Sequence, residues 1–420
     1  MATQCSFADT RAFITSIHAA TFSQKEFFAG QRRDACNLSC PLRPTRRPLS
    51  SRKNPARKSF RGPSSNVVSM KFTPKLVGQP KEYKVDEQGY IKDFGNLTRI
   101  FEGTAKLTGR AIPGEEEVKV DREAEVLLLY PADEEPVGCI VFGHGFSQHP
   151  GNYASTLRTL AGNGYLIIAP TTDVFQTAWP WICIEEVGRF EPMDVKLQTA
   201  LAHDMLRSVL YLKDECIDAP HQNLAILGHS MGGGLAVLVA STLESAKVPV
   251  KTVAALAPLR PNPAVVTKEL EDLALNLDCS LHMVSAVDDS IVPTKEVSDS
   301  FNSITSVKNI RKVIESSDAK QFVPTDTLFS VFVAGNHIGY EDSLGFRFVT
   351  PTRLCVPWAK NWSEQKERTK SLLLDWFRVY LKGESTRRNQ LFDPKQQQLT
   401  VRFLLSDEVE KLIGSKVSMA

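Results

Sequence analysis

A serine becomes a nucleophile only when a base can take its proton, so chemistry in this chain starts at Ser230 and the groups able to activate it. Ser230 stands in LAILGHSMGGG, residues 224–234, where an apolar run ends on Gly228 and His229 and small residues lead into a helical pattern near Leu235. Glycines two positions either side of the serine suit a sharp strand-to-helix turn that lifts a hydroxyl out of a sheet. The helix start then points free N–H groups and its positive dipole end at the same place. Gly-x-Ser-x-Gly alone arises by chance in a chain of 420 residues. The strand before it and the small-residue helix after it make it specific.

Two histidines follow Ser230. His282 falls inside an apolar strand pattern, Ser280 to Ala286, and reads as a core residue. His337 follows the strand pattern Leu328 to Ala334 in AGNHIG, a loop at a strand's carboxyl end, and is the candidate base. Where such a turn carries a triad the chain order is serine, acid, histidine. The acid therefore falls in VSAVDDSIVP, residues 284–293, with Asp289 the choice and Asp288 the alternative. The acid must accept the imidazole Nδ1–H so that Nε2 is free to take the serine proton. An oxyanion formed at the carbonyl needs two fixed donors. The N–H of Met231 is one, and the N–H of Phe146, in GHGFS after the strand pattern Val137 to Phe142, is the other. His144 and His229 each lie in a glycine-flanked turn with no carboxylate cluster, so neither a metal nor a cofactor is expected.

The elements around these residues alternate. Val126 to Tyr130, Val137 to Phe142, Tyr165 to Ala169, Leu224 to Leu227 and Thr252 to Leu256 read as strands, while Tyr153 to Asn163 and Asp194 to Lys213 have helical spacing. This predicts the α/β class, a mainly parallel central sheet with helices on both faces. Glu364 to Lys382 is an amphipathic helix ended by Gly383, expected to close the sheet, with contact to a membrane surface as its alternative. The tail from Ser385 to Ala420 offers one further strand, Leu399 to Leu405.

No apolar run reaches the roughly 18–20 residues of a membrane span. The net charge of +2 hides an asymmetry, since residues 1–70 hold 12 Lys and Arg against 3 Asp and Glu, leaving −7 on the rest. A Ser- and Arg-rich basic segment broken by Pro44, Pro48 and Pro55 reads as an organellar presequence over residues 1–69, a chloroplast transit peptide, rather than a nucleic-acid surface. Residues 70–384 are then the catalytic domain and 385–420 a C-terminal extension. The five cysteines beyond residue 70 are scattered and read as reduced core thiols.

The set LLYP (128–131), HGF (144–146), GYLIIAP (164–170), GHSMGG (228–233), AP (257–258), DSIVP (289–293) and GNH (335–337) resembles the α/β-hydrolase superfamily, in the branch of dienelactone hydrolases, cutinase-type polyester hydrolases and plant chlorophyllases. The resemblance implies a serine carboxylic-ester hydrolase working through an acyl-serine intermediate. Leu259 stands where the polyester hydrolases have tryptophan, and Met231 where chlorophyllases have arginine. The stretch 304–327 reads as an insertion. Val174, Phe175, Trp179, Trp181 and Ile182 crowd the loop that this fold places above the nucleophile, so Phe175, Trp179, Trp181 and Leu259 are expected to bind a bulky apolar ester, chlorophyll first among plastid esters. An acyltransferase on the same triad and a non-catalytic binding protein on this scaffold are the competing readings.

Overall fold

The computed structural model describes residues 76–110, 119–172, 191–304, 326–342, 362–391 and 401–403, apart from isolated positions within these stretches. Its frame is an 11-stranded sheet: β1 Val77–Val85, β2 Ile91–Lys92, β3 Asn96–Arg110, β4 Lys119–Pro131, β5 Gly138–Gly143, β6 Tyr165–Thr171, β7 Leu224–His229, β8 Thr252–Leu256, β9 Ser280–Ala286, β10 Thr327–Phe332 and β11 Val401–Phe403, in the order 11-10-9-8-7-5-6-4-3-1-2. The block from β10 to β6 is parallel throughout. The remaining strands, β1 to β4 and β11, pair antiparallel.

Every residue of β5, β7, β8 and β9 is buried, as expected of strands covered on both faces. Alternate side chains feed two cores. Val141, Ile226, Val253 and Ala255 pack with the helices Glu191–Glu215 and Met231–Ser245, while Ile140, Phe142, Leu227 and Leu256 pack with Ala154–Gly162 and Trp362–Tyr380. The last of these closes the second face with Leu373, Leu374, Trp376 and Phe377 fully buried, so its apolar side lies against the sheet. Trp376 donates its indole N–H to Thr252 Oγ1 at 2.6 Å. Gly383, in the left-handed region at φ 73°, ends the helix.

Two features differ from the sequence reading. The antiparallel flank β1–β3 was not expected, because β1 is largely exposed, β2 has two residues, and β3 interleaves the buried Ile100, Ala105 and Leu107 with polar residues. Beyond residue 384, the helix Ser385–Leu391, which was not expected, sends Leu391 into the second core, while β11 lies within the expected strand Leu399 to Leu405 and pairs with β10. The segments 305–325, 343–361 and 1–75, with the expected insertion and presequence, lie outside the described residues.

Candidate active site

Strand β5 is flanked by β6 on one side and β7 on the other, which makes the carboxyl ends of β5 and β7 the point where the chain's winding reverses. Open parallel sheets bind ligands at such a crevice. The candidate residues converge there. Ser230 follows β7 directly and caps the helix Met231–Ser245 with φ 55° and ψ −120°, a conformation that non-glycine residues rarely adopt. Its backbone is held in that turn, since its N–H donates to Leu256 O at 2.8 Å while its carbonyl accepts from Leu259 N at 2.9 Å and Gly234 N at 3.1 Å.

The flanking glycines serve close approach more than unusual backbone angles. Neither Gly228 nor Gly232 has a positive φ; the serine itself takes the strained angle. A Cβ on Gly228 would lie 2.0 Å from Gly232 O, and one on Gly232 would lie 2.2 Å from Gly143 O. The turn is so tight that β5, β7 and the following helix touch through bare backbone.

His337 opens a short 3₁₀ turn after β10, and its Nε2 lies 2.9 Å from Ser230 Oγ. Its Nδ1 lies 2.8 Å from Asp289 Oδ2. The other oxygen of Asp289 accepts the N–H groups of Ile291 at 2.9 Å and Val292 at 2.8 Å, which fixes the carboxylate's direction. Asp288 is exposed, while Asp289 takes His337 Nδ1 and Ser230 takes Nε2, so of the two neighbouring acids the fold aims Asp289 at the ring. Ser230, Asp289 and His337 are all buried.

Directly after Ser230, Met231 begins the helix, where N–H groups lack intrahelical acceptors. Phe146 is half-buried in the turn after β5. That turn is anchored by Gly232 N–H donating to His144 O at 3.1 Å and Gly145 N–H donating to Tyr153 Oη at 3.2 Å. His144 and His229 have both ring nitrogens engaged with protein groups. His144 Nδ1 donates to Gly145 O at 2.8 Å while Nε2 accepts from Thr172 N at 3.3 Å, and burial pushes its pKa down to about 4. Leu259 is partly buried beside the elbow, and Phe175, Trp179 and Trp181 lie outside the described residues.

Two residues that the sequence reading did not single out support the base. Gln365 accepts Asn336 N–H at 2.9 Å and donates to Asn336 O at 2.9 Å, clamping the turn before His337 to the closing helix. The available signal was a polar residue four positions before Thr369 on the helix's buried face. Tyr153 joins His229, and nothing in its sequence surroundings set it apart from a helix-start aromatic.

The reversal of winding, the strained serine between strand and helix and the mostly parallel sheet define the α/β-hydrolase fold. Residues 97–276 match the family described as Chlorophyllase. Monoglyceride lipase from Homo sapiens is 26% identical over 170 residues, a stretch covering 40% of this chain and 52% of the lipase. The chain thus spans about half the length of that curated relative. The Chlorophyllase match includes Phe146 and Ser230 and stops before Asp289 and His337.

Proposed function

We propose that this protein is a serine carboxylic-ester hydrolase. The observation that carries the reading is the continuous chain from Asp289 through His337 to the strained Ser230, at 2.8 and 2.9 Å. Ser230 Oγ attacks the ester carbonyl as His337 Nε2 takes its proton, and Asp289 steadies the imidazolium. The oxyanion is met by the N–H groups of Met231 and Phe146. His337 then gives the proton to the departing alcohol, leaving acyl-Ser230. A water molecule, deprotonated by the same imidazole, attacks the acyl carbon, and the imidazolium returns the proton to Ser230 Oγ as that bond to the acyl carbon breaks and the acid leaves. The similarity to a family named for chlorophyll cleavage and to a lipase supports an ester hydrolase.

For the substrate we propose a bulky apolar ester, chlorophyll before galactolipids, met in the chloroplast to which residues 1–69 direct the chain. A peripheral contact with the membrane that holds such esters fits this substrate class. Among the described residues no helix is long and apolar enough to cross a membrane. Two measurements on protein lacking residues 1–65 test the reading. A fluorophosphonate should label wild-type protein at Ser230 and leave Ser230→Ala unlabelled. In a comparison of kcat/KM for chlorophyll, a galactolipid, and acetyl and long-chain p-nitrophenyl esters, an acetyl preference over every bulky substrate would falsify the substrate assignment while leaving the esterase standing.

A further inference from the structure

Resting on that esterase reading, we propose that Tyr153 and His229 are positioning residues, joining the oxyanion loop to the loop carrying His337 through a hydrogen-bond chain of fixed direction. Three segments far apart in sequence meet at these two side chains. Gly145 N–H reaches Tyr153 Oη at 3.2 Å, Tyr153 Oη lies 2.8 Å from His229 Nδ1, and His229 Nε2 lies 3.1 Å from the backbone carbonyl of His337.

The direction follows from what each end is able to do. An amide N–H only donates and a carbonyl only accepts. His229 Nε2 must therefore hold a ring proton, and in the neutral ring Nδ1 is left with a lone pair to which the Tyr153 hydroxyl donates while accepting from Gly145. The Tyr153 hydroxyl donates in this direction only when His229 is neutral, since a charged ring would donate from both nitrogens. Its burial, with no exposed surface, holds the ring well below the ordinary histidine range, and the neighbouring His337 adds to that. Neutrality has a second use. The rings of His229 and His337 lie 4.8 Å apart, so a charged His229 would oppose the imidazolium that must form on His337 during each proton transfer.

The surroundings leave the chain little freedom. The Tyr153 ring packs edge-on against Phe142 of β5 at 4.8 Å, and the His229 ring lies 5.1 Å from Tyr340 in the turn that His337 opens. A second tie runs parallel, because Asp342 accepts both the N–H and the hydroxyl of Ser155, two residues beyond Tyr153. His229 belongs to the nucleophile turn itself, so one side chain senses the serine, the base and, through Tyr153, the oxyanion donors. Misplacement of such groups by a fraction of an ångström lowers rate with little effect on ground-state binding.

The test uses full-length protein and counts sites by fluorophosphonate titration before kcat and KM are measured on a p-nitrophenyl ester. Tyr153→Phe should lower kcat per titrated site by roughly tenfold to a hundredfold, with KM within about twofold. His229→Leu should do the same or worse. His229→Gln, whose amide has one donor and one acceptor to span Tyr153 and the His337 carbonyl, should recover to within about threefold of wild type. Tyr165→Phe removes a buried hydroxyl remote from the site and is the control for packing alone. If Tyr153→Phe reduces only the number of titratable sites or the melting temperature, with kcat per site equal to the control, the positioning role is overturned. So it is if His229→Leu and His229→Gln behave alike. Wild-type protein that takes no label and turns over no ester removes the esterase reading and this inference together.

Discussion

Glu102 and Asp289 each gather several donors, yet of the two only Asp289 lies against a histidine that in turn meets a serine. Glu102, on β3 of the antiparallel flank, is met by Lys81, Tyr83 and Arg158. Asp289, at the carboxyl end of β9, is met by two backbone N–H groups and His337. Burial opposes ionisation of Glu102, but hydrogen bonds from Arg158, Lys81 and Tyr83 outweigh it and hold its carboxyl below the usual range. Lys81 and Arg158 pair with Glu102 as cations and Tyr83 donates its hydroxyl to it, and none of the three is a nucleophile-activating base. The partner of Asp289 is an imidazole, a group able both to take and to give a proton, and it meets Ser230 on its other side. The number of charged contacts therefore does not mark a candidate active site. The exchangeability of the partner's proton does, together with a nucleophile beyond it.

The sharpest way to break the comparison is to remove the acids one at a time. Asp289→Asn should lower kcat by on the order of 10⁴, as loss of the acid does in serine-protease triads, whereas Asp288→Asn should stay within a few fold of wild type. Equal effects in ester-hydrolysis assays would mean that the proton path does not run through Asp289. Glu102→Gln should leave kcat unchanged.

Backbone crowding is the next largest effect, and it too should be confined to one region. Gly228→Ala places a methyl 2.0 Å from Gly232 O and is expected to cost about 3 kcal/mol or more in urea unfolding, with loss of activity. Gly383→Ala meets no neighbour and should cost about 1 kcal/mol, from its positive φ alone.

A third test concerns Glu341, buried behind the base turn with its carboxyl 4.0 Å from His229 Nδ1. Burial, helped by Asp342, pushes its pKa up to about 8. A carboxyl raised in the folded state binds its proton more tightly there than in the unfolded chain. Stability is therefore lost as pH rises from the unfolded value toward about 8 and is constant above it. Glu341→Gln should unfold at higher urea than wild type at pH 9, by on the order of a few kcal/mol, with the gap closing toward pH 5. A gap that widens on acidification would reverse the sign and refute the placement.

The smallest effects separate strain from ion pairing. Ser230→Gly should abolish turnover yet raise stability by about 1 kcal/mol, because glycine adopts φ 55° without the side-chain penalty. Glu102→Gln should lower stability by about 1 kcal/mol or less, since Lys81 and Arg158 are half in solvent. That loss should be present at neutral pH and fade as the pH falls through the lowered carboxyl range, which calorimetry across pH 3–7 would show.

Sequence by itself determined the covalent order and the local devices. The glycine-serine-glycine turn between an apolar strand and a helix of small residues was legible, because strand burial and close backbone approach restrict which residue types are allowed. So were the parallel core strands, whose continuous apolar runs have few other uses, and the position of His337 after a strand. The flank β1–β3 was not legible, because half-exposed antiparallel strands with mixed residues look like polar loop. The strand β11 falls within the expected Leu399 to Leu405, but its partner was not legible, because pairing with β10 is a long-range backbone contact. Tertiary structure alone decided between Asp288 and Asp289. Adjacent residues of equal chemistry differ only in which one the turn after β9 points inward, with Asp289 held by the N–H groups of Ile291 and Val292. It alone brought Tyr153, His229 and Gln365 to the loops they hold, since hydrogen bonds spanning 76, 108 and 29 residues exist only once the sheet has set its strands side by side.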